Sequence, residues 1–301
     1  MNIIDFVAIG SIIIDDIVDP QGRTSMGVLG GGGSHAVAGM RVWSERTALV
    51  SVIGQDFPET AWKQLESLAD TRGIRQRPAA QPRAWQLFEA DGTRQEVFRT
   101  DFGALRQTTI QPDEYPIDFG TAKGVYLQTA TAPEAEAWAN RLKALNPSLV
   151  MLWEPWEILY TPDNLVDFGR VAPQFEIISP QTIEISRMIG ETKPEKQATI
   201  LFECGVRCLA LRLGAAGSLV GAIEHIHHIP AISGPVVDET GAGNSYCGGF
   251  VVGYVESGGD AATAGRYGTV AATFALAQLG VARLGAQTRT QAETRLKQMM
   301  A

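Results

Sequence analysis

Short runs of β-branched apolar residues alternate along the chain with longer stretches whose apolar positions recur at helical spacing. Residues 3–9 read as a buried strand ending at Gly10. The same pattern predicts strands at 48–53, 124–127, 149–152, 175–178 and 208–213. Between them it predicts helices at 35–44, 59–71, 133–145, 194–204 and 245–256. Strands alternating with helices of this length argue for βαβ units around a parallel sheet. Strands that are apolar at nearly every position fit a sheet covered on both faces.

Two stretches break the rhythm. Residues 12–29 carry a turn signal, Asp19-Pro20-Gln21-Gly22, between extended segments. Residues 85–89 and 95–99 flank Ala90-Asp91-Gly92, the signature of a β-hairpin. Both alternate apolar and polar, as a sheet with one wet face does. They read as a small β appendage, with the glycines at 30–33 as its hinge. No internal repeat, low-complexity tract or linker divides the chain, so 1–301 reads as one domain.

Composition narrows the function. Apolar residues make up 45% and charged residues 19%, which excludes a disordered chain. With 33 acidic and 25 basic residues the formal charge is −8, so nucleic acid is not an expected partner. Cys204, Cys208 and Cys247 form no disulfide framework and no metal pattern, which fits a reducing cytosol. No run approaches the roughly 20 apolar residues of a membrane span, and no basic leader precedes the first apolar run. A soluble, cytoplasmic protein is expected.

The most informative stretch is Asp238-Glu239-Thr240-Gly241-Ala242-Gly243-Asn244, followed by a helix that carries Gly248-Gly249-Phe250. Glycines let backbone N–H groups converge, and a helix N-terminus adds partial positive charge. Together they make an anion hole suited to phosphate. The glycines at 30–33 lie too far beyond the first strand for a dinucleotide fingerprint, and no Gly-Lys-Ser/Thr is present. Asp101-Phe102-Gly103 lacks the companion motifs of a protein kinase and reads as chance. His225, His227 and His228 read as a partly exposed strand rather than a metal site.

The glycine string resembles the second signature of the PfkB carbohydrate kinases, the ribokinase-like family. Other landmarks follow in family order. They are Gly10 to Asp15, the glycines and helix of 30–43, Pro180-Gln181-Thr182-Ile183-Glu184, Leu213-Gly214-Ala215-Ala216-Gly217, and the small-residue stretch 267–280. The resemblance implies a three-layer α/β/α sandwich with a mostly parallel central sheet and a small β lid from about 12–29 and 83–100. It implies ATP- and Mg2+-dependent phosphorylation of a hydroxyl on a sugar, nucleoside or related small molecule. Gly241, Ala242 and Gly243 would form the anion hole. Gly214, Ala215, Gly217 and Thr269 would line the nucleotide, and Glu184 would order magnesium-bound waters. Asp15, Gly31, Gly32 and Ser34 would face the acceptor. Asp238 and Thr240 would join a monovalent-cation site for K+, and a homodimer would form through the lid.

Three positions depart from the family pattern. Asn244 stands where the family has its catalytic Asp, Ser34 where it has Asn, and Gln181 where it has Asn. Trp153-Glu154-Pro155-Trp156 occupies a segment that in many members reads Asp-x-Asn. An amide takes no proton from a hydroxyl at neutral pH. General-base assistance is worth about 10²–10⁴ in rate, so Asn244→Asp is expected on sequence grounds to raise turnover at least about tenfold. Two readings stay open: an atypical or slow kinase, and a non-catalytic nucleotide- or sugar-binding pseudokinase with a regulatory role.

Overall fold

The computed structural model describes residues 3–90 and 94–300. Asp91 and Gly92 of the expected hairpin turn lie outside the described residues. In β1 (Phe6–Ile9) every residue is buried, and alternate side chains enter two different cores. Val7 and Ile9 join one; Phe6 and Ala8 join the other. A strand covered on both faces needs helices on both sides, and the chain supplies them.

The first half of the chain runs β2 (Ile13–Val18), β3 (Thr24–Gly30), α1 (Gly32–Arg41), β4 (Thr47–Ile53), α2 (Glu59–Leu68) and β5 (Asp70–Gln76). It continues through β6 (Arg83–Phe88), β7 (Arg94–Phe98), α3 (Phe102–Gln107), β8 (Gly124–Thr129), α4 (Ala132–Leu145) and β9 (Val150–Pro155). The second half runs α5 (Leu165–Val171), β10 (Ile177–Ile178), α6 (Thr182–Ile189), α7 (Pro194–Glu203), β11 (Cys208–Arg212), β12 (Ser218–Ala222) and β13 (His225–Ile229). Three helices close it: α8 (Ala242–Glu256), α9 (Ala261–Leu276) and α10 (Thr288–Met300).

The large sheet has the order β13-β12-β11-β10-β9-β8-β1-β4-β5; β12 runs antiparallel to both of its neighbours, β11 and β13, and the other neighbouring pairs are parallel. This is the ribokinase-like α/β architecture. The second sheet has the order β3-β2-β6-β7, its two central strands parallel and its edges antiparallel. Asp16 in β2 pairs with Arg99 just past β7, which ties the two halves of this sheet together.

Some boundaries differ from the sequence pattern. The helix expected over 59–71 stops at Leu68, and Asp70–Gln76 forms the outermost strand of the large sheet. That segment is polar because it is an edge, so it carries no buried-strand signature. The helix expected at 35–44 starts three residues earlier, directly after Gly31.

Helices α1 and α8 dock backbone to backbone. A Cβ at Gly39 would overlap the Ser245 carbonyl, and one at Gly248 would overlap the Ala36 carbonyl. This contact sets the heads of the two helices, and the glycine segments leading into them, side by side.

Candidate active site

A cavity of about 1080 Å³ opens where the carboxyl ends of β1, β8 and β9 meet the second sheet and the head of α8. Ligands of open α/β sheets bind at this end of the strands. The cavity brings together most of the residues singled out from sequence: Asp15, Gly31, Gly32, Glu184, Gly214, Ala215, Gly217, Thr240, Gly241, Ala242, Gly243, Asn244 and Thr269. It leaves out Ser34 and Asp238.

At the second-sheet end, Asp15 projects from β2 and is only 2% exposed. Gln86 in β6 donates to its Oδ1 at 3.0 Å and also to Glu96 Oε1 at 2.7 Å. Burial pushes the Asp15 carboxyl from 3.8 up to about 7, opposed by the Gln86 hydrogen bond and reinforced by Glu96. Ser34 does not face this end. It is fully buried with no partner for its Oγ, and its helical neighbour His35 lines the cavity instead. Successive helical side chains point about 100° apart, and here that rotation turns His35 to the cavity and Ser34 away from it. His35 is 1% exposed, neither ring nitrogen has a partner, and burial lowers its pKa to about 4. It is a neutral imidazole.

The ring of His35 packs under Gly241. That glycine is the N-cap of α8 with φ 73°, and no side chain caps the helix. A Cβ there would overlap the imidazole. The amides at the head of α8 therefore face the cavity without a side-chain acceptor, which fits an anion. Gly241→Ala combines an unfavourable left-handed conformation, about 1–2 kcal/mol, with that overlap. It should weaken Mg·ATP binding at least about tenfold, as read by titration calorimetry.

Behind the helix head lies a buried polar network. Asn244 Nδ2 donates to Glu154 Oε2 at 2.9 Å and to the Tyr126 hydroxyl at 3.1 Å. Tyr126 donates to Glu154 Oε2 at 2.7 Å, and Arg212 Nη1 pairs with Glu154 Oε1 at 2.7 Å. Arg212 also donates to the Ser179 carbonyl at 3.1 Å and lies 4.0 Å from Glu184. Burial raises the pKa of Glu184, partly offset by Arg212. A Cβ at Gly243 would overlap the Arg212 guanidinium, so the cation sits against the helix head.

Asp238 lies outside the cavity, and its carboxylate accepts the backbone N–H groups of Thr240 at 2.8 Å and Gly280 at 3.0 Å. Those bonds shape the turn before the anion hole. Among the described residues, no group of three or more His, Cys, Asp or Glu could hold a metal ion. Trp153 is core, stacked on Phe168 and Phe175 with ring centroids 5.7 and 5.2 Å away. Trp156 instead lines the cavity, edge-on to Phe98 at 6.1 Å. The three histidines of β13 lie on an exposed strand. Among the described residues no helix is long and apolar enough to cross a membrane.

Glu154, Arg212 and Tyr126 carry no motif of their own, and His35 sits inside the 30–43 landmark without being singled out. The one sequence signal was the unusual Trp-Glu-Pro-Trp segment at 153–156.

A strand-end cavity with an uncapped helix head on one wall and a buried carboxylate across from it can take an anion beside a hydroxyl-bearing ligand. The chain belongs to the pfkB family of carbohydrate kinases, whose model matches residues 2–289. It is 26% identical over 259 residues to the cytidine kinase of Thermococcus kodakarensis, covering 83% of this chain and 88% of that protein. A nucleoside kinase of Burkholderia thailandensis, solved with ADP and inosine, superposes with a TM-score of 0.76 at 16% identity, covering 98% and 95% of the two chains. An E. coli protein of the ribokinase type, solved with ATP and Mg2+, gives 0.75 at 16% identity over 98% and 100%.

Proposed function

We propose that this protein transfers the γ-phosphoryl group of ATP to a hydroxyl of a nucleoside or closely related sugar. The observation that carries this is one cavity holding both the buried Asp15 carboxylate and the uncapped head of α8. A carboxylate is an acceptor for sugar hydroxyls, and the helix head receives the transferring phosphate. Gly214, Ala215, Gly217 and Thr269 line the part of the cavity that takes the nucleotide. Glu184 is placed to order the waters of a magnesium ion, which neutralises phosphate charge when bound. Trp156 and Phe98 give the acceptor end an aromatic wall for a base, and the cytidine kinase relative supports a nucleoside. Asn244 orients the acceptor hydroxyl without removing its proton, so chemistry leans on positioning and charge stabilisation. Turnover is correspondingly slow.

The test is ADP release with Mg·ATP and a panel of nucleosides and sugars, alongside thermal shift with each ligand. At 100 Kd of ligand, stability should rise by about 2.7 kcal/mol. Acceptor-dependent ADP release is the expected result. ATP binding without such release would make the protein a non-catalytic nucleotide-binding relative.

A further inference from the structure

We infer that Glu154 is a positioning residue that pins the Asn244 amide with its oxygen toward the cavity, making the amide–carboxylate pair, and not residue 244 alone, the unit that orients the acceptor hydroxyl. This rests on the phosphotransfer reading above.

Glu154 is 4% exposed at the end of β9 and lines the same cavity as Asn244. An ionised carboxylate only accepts hydrogen bonds, so the group it meets at 2.9 Å must be the amide nitrogen. The nitrogen's second hydrogen goes to Tyr126 at 3.1 Å. With both N–H bonds engaged on the sheet side, a flip would set the amide oxygen against the acceptor-only Glu154 carboxylate and give up the N–H bonds to Glu154 and Tyr126. Oδ1 is thereby left to receive a hydroxyl from the cavity. Glu154 is itself held from three directions, by Tyr126 of β8, Arg212 of β11 and Cys247 of α8, while Glu184 of α6 faces it as a like charge and Tyr160 lies within its field. The pin is therefore rigid.

The pair reverses the simple expectation for Asn244→Asp. A carboxylate at 244 would meet Glu154 at close range, and two such groups cannot both ionise. One would hold a proton into the neutral range. Placing the amide on the other partner, in E154Q/N244D, restores a carboxylate–amide pair with its polarity inverted.

The experiment compares wild type, N244D, E154Q and E154Q/N244D in two ways. The first uses apo protein: thermal melts from pH 5 to 8.5. The raised carboxyl pKa in N244D makes stability fall as pH rises through neutral, beyond any change in wild type. The double variant should lose that excess. The second is acceptor-dependent ADP release, split into kcat and KM. N244D should fall at least about tenfold in kcat/KM, and E154Q/N244D should recover at least about tenfold over N244D. A packing role alone would make the two substitutions add. N244D outperforming wild type, with a wild-type melt profile across pH, would overturn the pinning. Loss of the pH-dependent limb of kcat in E154Q, restored in the double variant, would also overturn it, because Glu154 would then take the proton itself. If none of the four proteins releases ADP, the phosphotransfer reading fails and the orienting role falls with it. Absent coupling in the melts removes the pinning alone. Should E154Q not fold, the pH course of N244D decides.

Discussion

Arg212→Met is expected to cost about 3–5 kcal/mol of stability, the range for breaking one partner out of a buried ion pair. The arginine side chain is 14% exposed and pairs with Glu154 at 2.7 Å. Burial disfavours its charge, but Glu154 together with Glu184 and its other neighbours more than offsets that and holds the guanidinium firmly protonated. Without it, Glu154 keeps hydrogen bonds from Tyr126 and Asn244 but has no cation against it at this distance. The same change removes the positive charge lying against Gly243 at the helix head. Nucleotide affinity should fall along with stability. Urea denaturation with and without Mg·ATP reads both effects. Removing both charges, as in R212M/E154Q, should cost less than R212M alone, since the more buried carboxylate is then gone and only the more exposed Glu184 loses its cation. An R212M midpoint equal to that of wild type would show that the pair contributes nothing net.

Asp15→Asn separates stability from function in the opposite sense. Folding raises the Asp15 pKa from 3.8 to about 7. Stability linked to its proton is full below the unfolded value and is lost as pH rises through about 7. A shift of this size corresponds to on the order of 4 kcal/mol. Asn mimics the protonated form, so the apo variant should match wild type only below about pH 3.8, exceed it modestly at pH 5 and exceed it most at pH 8.5. Catalysis should move the other way. Two charge-assisted hydrogen bonds from acceptor hydroxyls are worth about 3–6 kcal/mol, so kcat/KM should fall by about 10²–10⁴. Wild-type acceptor binding should release a proton near neutral pH, because hydroxyl donors favour the ionised carboxylate. Calorimetry in buffers of different ionisation enthalpy measures that release.

Much of this architecture was readable from pattern. β1, β4 and β8 announce themselves as apolar runs, and the Thr240 to Asn244 string marks a helix head because few sequences put small residues there. β5 was hidden because an edge strand is polar, so its sequence continues the look of the helix before it. Ser34 was placed at the acceptor from its position in a motif. One residue of helical rotation turns His35 rather than Ser34 to the cavity, and no local signal distinguishes the two. The network under Asn244 escaped for a different reason. Tyr126, Glu154 and Arg212 lie on three strands, and only the sheet order makes them neighbours. Asn244 alone looked like a site missing a part, whereas beside Glu154 it is half of a pair.

The docking of α1 on α8 reaches beyond the site it frames. Gly39 and Gly248 sit more than 200 positions apart in sequence, yet each is limited by the other helix's backbone. Neither can gain a carbon unless the facing helix retreats, and a retreat would separate the two walls of the cavity. Variation at these two segments is therefore coupled, and a library that randomises either one alone will be dominated by inactive members. The cavity-facing side chains of β7, Arg94, Glu96 and Phe98, lie outside that helix contact. New acceptor preferences are best sought there, with the glycine helices left as they are.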